Sequence, residues 1–220
     1  MAILTLNKYR IKPTSSPRLP AAPVEYNQQY GDQLTNVLRL YFNEIDNVTS
    51  SFLGIDGGRY ISFPTGSFYD TTSQTASANT PKVVTFNTTD TTTTLNVSVV
   101  SSSQVTVVYP GVYNFTFSAQ LSNSSTSVDD TYIWMRVNGV DAAYSMGATT
   151  TPAKHVTTNG AATVGWNQQF SLNAGDYVQL VWMTVGGTTS LAPIAASVSP
   201  AYPASPSVAL TVTFVSGPTS

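Results

Sequence analysis

Cysteine is absent from this chain of 220 residues, which excludes disulfide bonds, thiolate catalysis and cysteine-ligated metals. Charged residues make up only 9%, where about 25% is usual, and polarity comes instead from Ser, Thr, Asn and Gln. Aromatic residues make up 11%, and such a chain is not intrinsically disordered. No apolar run approaches the length of a membrane span, and the N-terminus predicts no secretion signal. We therefore expect a folded protein that is made in a cytoplasm and does not insert into a membrane.

Sequence patterns of enzyme active sites are also missing. The single histidine, His155, lies in a threonine-rich segment where we expect a solvated loop. No serine has a nucleophile-elbow pattern, and no glycine-rich segment has the spacing of a phosphate-binding loop. Asp129 and Asp130 are adjacent, and neighbours on a strand point to opposite faces, so they do not form a glycosidase pair. We predict no enzymatic activity, no cofactor and no metal; a Ca²⁺ ion held near these carboxylates stays open as an alternative.

The formal net charge of −2 is unevenly spread along the chain. Residues 1–24 carry +4, from Lys8, Arg10, Lys12 and Arg18, and the remainder carries −6. Proline recurs every three or four residues between positions 13 and 23, which blocks a helix and predicts an extended arm. A basic arm without a core of its own is typical of an attachment segment, so we predict that these four side chains anchor the protein. Four cations are too few for nucleic-acid binding, and a solvated tail is the alternative.

Residues 25–53 are predicted to form a helical stalk. Six apolar residues within 32–52 are spaced alternately by four and three, as in the a and d positions of a coiled coil. They are Leu34, Leu38, Tyr41, Ile45, Val48 and Phe52. Val37 and Phe42 widen this seam, which favours three helices over two, so we predict a trimer interface here. The alternative is an amphipathic helix packed on its own domain. Gly54 is expected to end the helix, and residues 54–65 to form a hinge.

From residue 66 to residue 216 the pattern is that of β structure. Tyr113, Phe115 and Phe117 alternate with polar residues, and turn signals such as Pro110-Gly111 and Asn138-Gly139 separate the apolar segments. Eight strands are predicted, at residues 82–87, 95–100, 104–109, 112–120, 132–138, 166–172, 176–184 and 207–215. No helical pattern lies between them. They predict a mainly β fold, whose C-terminal domain is a two-sheet β-sandwich or jelly roll preceded by a short coiled-coil-like helix and the extended N-terminal arm.

Four segments of this region resemble, in order, the tumour-necrosis-factor and complement globular-head superfamily of trimeric jelly rolls. They read PGVYNFTFSAQ at residues 110–120, WMRVNGV at 134–140, FSLNAGDYVQLVW at 170–182 and PSVALTVTFV at 206–215. The resemblance covers residues 64–216 and implies a homotrimer of jelly-roll heads. The Gly-X-Y repeats that precede the head in the animal proteins are absent, which argues against a complement-type function.

A second resemblance concerns the kind of particle in which this domain is found. GSFYDTTSQT at residues 66–75 and VTFNTTD at 84–90 are similar to the version of this domain found in tailed-bacteriophage particle proteins. LPAAPVEY at residues 19–26 and LRLYFNEIDN at 38–47 are similar to the N-terminal attachment region of such proteins. The resemblance implies a structural component of the virion: a homotrimeric head fibre or capsid-decorating protein. We expect it to be made in the host cytoplasm, to bind other virion proteins of the capsid or tail through its arm, and to be exposed on the particle surface.

The alternative setting is a tail fibre or receptor-binding tip that contacts a host surface glycan or protein. Loops held by a rigid scaffold are expected to carry that contact. Few residues of the predicted loops can stack on a sugar or a peptide, and Tyr144, His155 and Tyr202 are the candidates. Two alternatives come from other classes: a polysaccharide depolymerase, for which no carboxylate cluster is visible, and a secreted bacterial adhesin, for which no signal is visible.

Overall fold

The computed structural model describes residues 16–53 and 62–217, with side chains described at 16–49 and 62–217. The chain divides between Ser62 and Phe63 into a helical unit and a β unit. Much of the predicted arm and most of the predicted hinge lie outside the described residues. Within the described ranges, no helix is both long enough and apolar enough to cross a bilayer.

The helical unit contains the helix α1, which spans Gln28–Leu53. This confirms a helix within the predicted stalk, and α1 begins four residues before the apolar spacing at 32–52 because Asn27 caps it. The side-chain oxygen of Asn27 accepts the N–H of Tyr30 at 3.3 Å, and its carbonyl accepts the N–H of Gly31 at 3.2 Å. The cap therefore allows a glycine in the first turn, although glycine is a poor helix former.

The β unit consists of two seven-stranded sheets and one separate hairpin. Its strands are β1 (Thr65–Asp70), β2 (Gln74–Thr75), β3 (Lys82–Val83), β4 (Thr88–Thr89), β5 (Val97–Val100), β6 (Gln104–Val107), β7 (Gly111–Asn123), β8 (Asp129–Val137), β9 (Val140–Asp141), β10 (Gly147–Thr151), β11 (Gly160–Leu172), β12 (Tyr177–Thr184), β13 (Thr189–Leu191), β14 (Ser197–Val198), β15 (Ala201–Tyr202) and β16 (Val208–Ser216). The hairpin is formed by β14 and β15.

The first sheet, sheet A, is built around β7. β11 pairs with the whole length of β7 along one edge. β16 and β13 therefore share the other edge, β16 pairing with residues 112–119 and β13 with residues 121–123. The sheet continues from β16 to β1 and β4, and β2 joins β13. All of these pairs are antiparallel, and β11 and β4 form edges of the sheet.

The second sheet, sheet B, is built around β12. β8 pairs with β12 along one edge, and β10 and β9 pair with β8. On the other edge of β12, β6 pairs at Tyr177 and Val178, and β3 pairs at Val181 and Trp182. β5 completes the sheet beside β6. All of these pairs are antiparallel as well.

The core lies between the two sheets. On β7, every second residue from Gly111 to Asn123 is buried, and β8 is buried at alternate residues along most of its length. The largest fully buried side chains are Trp182, Tyr113, Phe68 and Phe115, contributed by both sheets. Because two antiparallel sheets face each other and the first and last strands are neighbours in one of them, the domain is a jelly-roll β-sandwich. The predicted fold class is confirmed.

The two ends of the sandwich differ. At one end, the base, the chain enters the domain: Phe63 stacks on Phe214 with ring centroids 5.8 Å apart, and the N–H of Phe214 donates to the carbonyl of Pro64. β7 starts at the base and ends at the opposite end, which we call the distal end. The loops at residues 124–128, 152–159 and 185–188 meet there, joined by backbone hydrogen bonds between Ser124 and Thr188 and between Lys154 and Ser125.

Each of the eight predicted strands corresponds to a strand of the structure, but several bounds were wrong. The strand predicted at 166–172 starts at Gly160, and the strand predicted at 132–138 starts at Asp129. The strand predicted at 82–87 is only Lys82–Val83. β11 begins with small residues of weak strand propensity, and pairing with β7 holds them in the sheet. For the same reason β1 and β10, rich in Gly, Ser and Thr, were not predicted.

Candidate functional site

The seam predicted on α1 is visible as a stripe of half-buried residues. Leu34, Leu38, Tyr41, Ile45 and Val48 are half-buried, as are Tyr30, Gly31 and Val37. Every other residue of α1 with a described side chain is exposed, including Phe42, which the sequence pattern placed beside the seam. The stripe occupies the a, d and most g positions of the heptad, and it has an apolar character throughout the a and d positions from 34 to 48. Phe52 lies outside the residues whose side chains are described.

The predicted anchoring residues are mostly beyond the described part of the chain. Lys8, Arg10 and Lys12 fall outside it. Arg18 is exposed, in a segment without regular secondary structure. The anchoring role of these four side chains stays a prediction.

The outward face of sheet A carries no charged side chain on β1, β7, β11 or β16. Hydroxyls and amides cover it instead, and they bond across strands: Thr163 donates to Gln120 at 2.7 Å, and Asn167 donates to Asn114 at 2.9 Å. Such a face is polar but costs little to desolvate compared with a charged one. It is therefore suited to contact with another protein surface.

The edge of sheet A at β11 is long and open. Among the described residues, β11 pairs only with β7, so the opposite edge of this strand, 13 residues long, has no strand beside it. Trp166 closes the gap between the sheets beneath this edge: it packs edge-on against Phe117 at 4.5 Å and covers Gly147, where a Cβ would meet the indole at 2.6 Å. Proteins rarely leave such an edge uncovered, because it can pair with another chain.

The distal loops are tied together by the buried carboxylate of Asp129, which is 2% exposed. It accepts hydrogen bonds from the N–H groups of Gly186 at 2.7 Å, Thr188 at 3.1 Å and Thr189 at 2.9 Å, and from the Thr188 hydroxyl at 3.0 Å. Burial alone would raise the pKa of Asp129, but the hydrogen bonds from these residues outweigh it and hold the pKa below the ordinary value of 3.8. Asn123 adds a second tie, donating to the carbonyls of Ser127 and Pro152.

The three predicted contact residues lie on separate segments. Tyr144 is fully exposed in the turn between β9 and β10, His155 is exposed in a tight distal turn, and Tyr202 is exposed on the β14–β15 hairpin. No hydrogen bond or ring contact joins any two of them. Part of the segment around His155 is also strand and not loop, because β10 ends shortly before His155 and β11 begins shortly after it. Whether they bind a host surface stays untested.

A charged and aromatic row on sheet B was missed by the sequence reasoning. Asp130, Tyr132, Trp134 and Arg136 alternate along β8, on the face opposite the core. The indole of Trp134 and the guanidinium of Arg136 both donate to the Asp141 carboxylate, at 2.7 Å and 2.8 Å. These bonds, first from Arg136 and then from Trp134, lower the pKa of Asp141. The alternation of these four residues is visible in the sequence, but contact residues were predicted only in loops, and the row lies on a strand.

Within the described ranges, no group of three or more metal-ligating side chains is brought together. Asp129 and Asp130 point to opposite faces, as the strand pattern predicts: one is buried and the other is exposed. All four hydrogen bonds that Asp129 accepts come from residues 186–189, so this carboxylate stabilises the distal loops. The buried carboxylate of Asp129 therefore fixes the distal loops, and the exposed carboxylate of Asp130 is available for contact with another molecule.

No family model matches the sequence, and no curated protein is similar to it. Among solved structures, the Eiger TNF from S. frugiperda is 11% identical with a TM-score of 0.47, and the match covers 72% of this chain and 96% of that chain. The globular domain of the zebrafish complement 1qA protein is 14% identical with a TM-score of 0.41, and the match covers 69% of this chain and 97% of that chain. Because both identities and both TM-scores are low, the assignment of the sandwich fold rests on the strand order described above.

Proposed function

We propose that the protein is a non-enzymatic structural protein that assembles as a homotrimer and presents its sandwich domain on the surface of a tailed-bacteriophage particle. The observation that supports assembly is the apolar stripe of α1, from Leu34 to Val48, whose side chains remain partly exposed in the single chain. A helix of 26 residues with such a stripe gains most of its stability by packing the stripe against a partner. A second and a third copy of α1 carry the same stripe in the same register, so they complete one another.

The width of the stripe supports three copies rather than two. Tyr30 and Val37, both at g positions, are half-buried beside the a and d residues. A stripe of a, d and g residues is wider than the a/d seam of a two-stranded coiled coil, and a third helix covers it better. The sequence resemblance of residues 64–216 to trimeric jelly-roll heads favours the same number.

The sandwich offers a second surface for the same assembly. The outward face of sheet A is free of charge on its long strands, and the open edge of β11 borders it. Three sandwiches that place this face and edge toward a common axis would cover the edge, which otherwise invites pairing with foreign strands. Sheet B, on the opposite side of each sandwich, would then stay accessible.

The placement on a particle is supported by the sequence resemblance of residues 19–26, 38–47, 66–75 and 84–90 to phage particle proteins. We propose a head fibre or capsid-decorating protein, with the basic N-terminal arm attached to other virion proteins. Binding energy at the arm would come from burial and charge pairing with an acidic partner surface.

The mass of the purified chain tests the assembly. Because three stripes bury one another, light scattering is expected to give three times the protomer mass of 23.4 kDa at micromolar concentration. A sample that elutes with the mass of one protomer would contradict the assembly, and a mass of two protomers would contradict the trimer alone.

Removal of residues 1–24 tests the attachment. The shortened chain is expected to keep the trimer mass, because the stripe begins beyond the deletion, and to be missing from particles grown on cells that supply only this form. Immunoblots of purified particles measure the incorporation. Incorporation equal to that of the full chain would refute anchoring by the arm, and absence of the full chain from every particle preparation would refute the virion setting.

A further inference from the structure

The outward face of sheet B differs from that of sheet A in one respect. Sheet A is uncharged on its long strands, while β8 presents Asp130, Tyr132, Trp134 and Arg136 in a row. We call this row the β8 row. Both aromatic side chains of the row are half-buried, so their rings are supported by neighbours and still partly open to solvent. Tyr and Trp are enriched at interfaces, and ligand sites are lined by aromatic side chains with a few polar groups among them.

The neighbours of Tyr132 leave room beside its ring. Ala148 is the cross-strand partner of Tyr132 on β10, and alanine has too short a side chain to cover an aromatic ring. A cavity of about 330 Å³ opens here, lined by Asp130, Tyr132, Ala148, Thr149 and Thr150. This volume is at the lower end of the range of ligand pockets, so it suits a single small ring or the end of a short chain of rings.

Polar groups surround the cavity at positions suited to hydroxyl ligands. The hydroxyl of Thr150 donates to the Asp130 carboxylate at 2.6 Å, which orients both groups at the rim. A carboxylate accepts up to four hydrogen bonds, so Asp130 keeps acceptor capacity beyond this one. The cavity therefore combines an aromatic ring, an acidic acceptor and the Thr150 hydroxyl, whose oxygen can accept a further hydrogen bond.

Trp134 extends the same surface and is held rigidly. Its indole N–H is bound to Asp141, which also binds Arg136. Val181, its cross-strand partner on β12, is 0% exposed although it lies on the outward face, so side chains pack over β12 beside Trp134. A ring fixed both at its edge and against a packed residue loses little entropy when a ligand stacks on it.

From these contacts we infer that the β8 row and its cavity form a binding site for a neutral carbohydrate, with Tyr132 and Trp134 stacking on the apolar faces of sugar rings and Asp130 and Thr150 binding sugar hydroxyls. The charges select the class. The row and Asp141 carry two carboxylates and one guanidinium, and the guanidinium is already bound to Asp141, so an acidic sugar or a nucleic acid meets net repulsion. A site for an apolar peptide would lack the two carboxylates.

The inference goes beyond the proposed assembly, because all residues of the site belong to one protomer. It would give an exposed sandwich a ligand on a cell surface, and three copies in a trimer would add avidity to weak single sites.

The full chain is to be titrated by ligand-observed NMR and calorimetry against neutral trisaccharides built from glucose, galactose, mannose, rhamnose or N-acetylglucosamine. At least one is expected to bind. Tyr132→Ala is expected to weaken binding of that sugar about tenfold or more, because it removes one stacked ring face. Asp130→Asn keeps the shape and removes the charged acceptor, and it is expected to weaken binding severalfold. It serves as the second variant where Tyr132→Ala lowers the melting temperature.

Tyr109→Ala is the matched control, because Tyr109 is an exposed tyrosine between β6 and β7 that does not line the cavity. It is expected to leave the affinity unchanged. Failure of every trisaccharide to bind at millimolar concentration, preference for an acidic sugar, or equal losses from Tyr132→Ala and Tyr109→Ala would each overturn the inference. The mass of each sample is measured in parallel. A monomer that binds the sugar contradicts only the assembly, and a trimer that binds none contradicts only the carbohydrate site.

Discussion

Replacement of Ile45 by aspartate is expected to dissociate the proposed trimer into monomers. Ile45 is half-buried at an a position in the middle of the stripe, so three such residues would meet at the axis of the proposed three-helix bundle. Three carboxylates at that place repel one another and lose solvation, at a cost of several kcal/mol per chain. An isolated helix of this length is marginal in water, so the helical signal in circular dichroism should fall with the mass.

The β signal of the Ile45→Asp variant is expected to persist, because the sandwich has a core of its own that includes Phe68, Tyr113 and Trp182. Asn43→Asp is the matched control: it adds the same charge to an exposed position of the same helix, two residues away. Light scattering and thermal melts compare the two variants with the unmodified chain. A mass and a melting temperature that Ile45→Asp leaves unchanged would show that the stripe does not mediate assembly.

Replacement of Asp129 by alanine is expected to destabilise the sandwich by about 3–5 kcal/mol, as measured by urea unfolding, because it leaves buried donors without an acceptor. Three backbone N–H groups and one hydroxyl of the 186–189 segment lose their partner at once. Limited proteolysis should then cut the distal loops. Asp130→Ala is the control, with the same change of charge at an exposed neighbour, and should cost well under 1 kcal/mol. Equal losses from both variants would contradict the role of Asp129.

Acidic pH is expected to remove the stabilisation that the Asp129 carboxylate gives to the fold. The pKa of Asp129 is lower in the folded chain than its ordinary 3.8, so the carboxylate stabilises the fold above that value. The contribution is lost as the pH falls below about 4 and through the folded-state pKa, where the protonated carboxyl no longer accepts all of its bonds. The stability of the unmodified chain should therefore fall more steeply in this range than that of Asp129→Ala. Parallel curves would contradict the assignment.

Alternation was the part of the fold most accessible from the sequence. Tyr113, Phe115 and Phe117 share the buried face of β7, as their spacing predicts, and the heptad spacing identifies α1. Short strands of small polar residues were not accessible, since β10 and the first half of β11 are strands only because β8 and β7 pair with them. Their stability comes from partners distant in the sequence, which local patterns do not report.

The surfaces were accessible only in part. Leu34, Leu38, Tyr41, Ile45 and Val48 of the α1 stripe followed from the heptad spacing, because a helix repeats its faces within a few positions. Tyr30 and Gly31 did not, and Phe42, which was placed beside the seam, is exposed. The β8 row was not predicted, because its cavity is formed with Ala148 and Thr150 across a strand pair that was not predicted. The role of Asp129 in tying the distal loops was also not predicted, because three of its four donors are backbone groups, which carry no sequence signature.

The meeting of Phe63 and Phe214 at the base has a consequence for chain connectivity. Because their rings lie 5.8 Å apart, a short flexible linker could join residue 217 to residue 63 without disturbing either sheet. New termini could then be opened in the distal turn after His155, whose residues are exposed. Such a circular permutant would keep every strand pair of both sheets while removing α1, and it would carry any fused domain at the end opposite to the natural entry point.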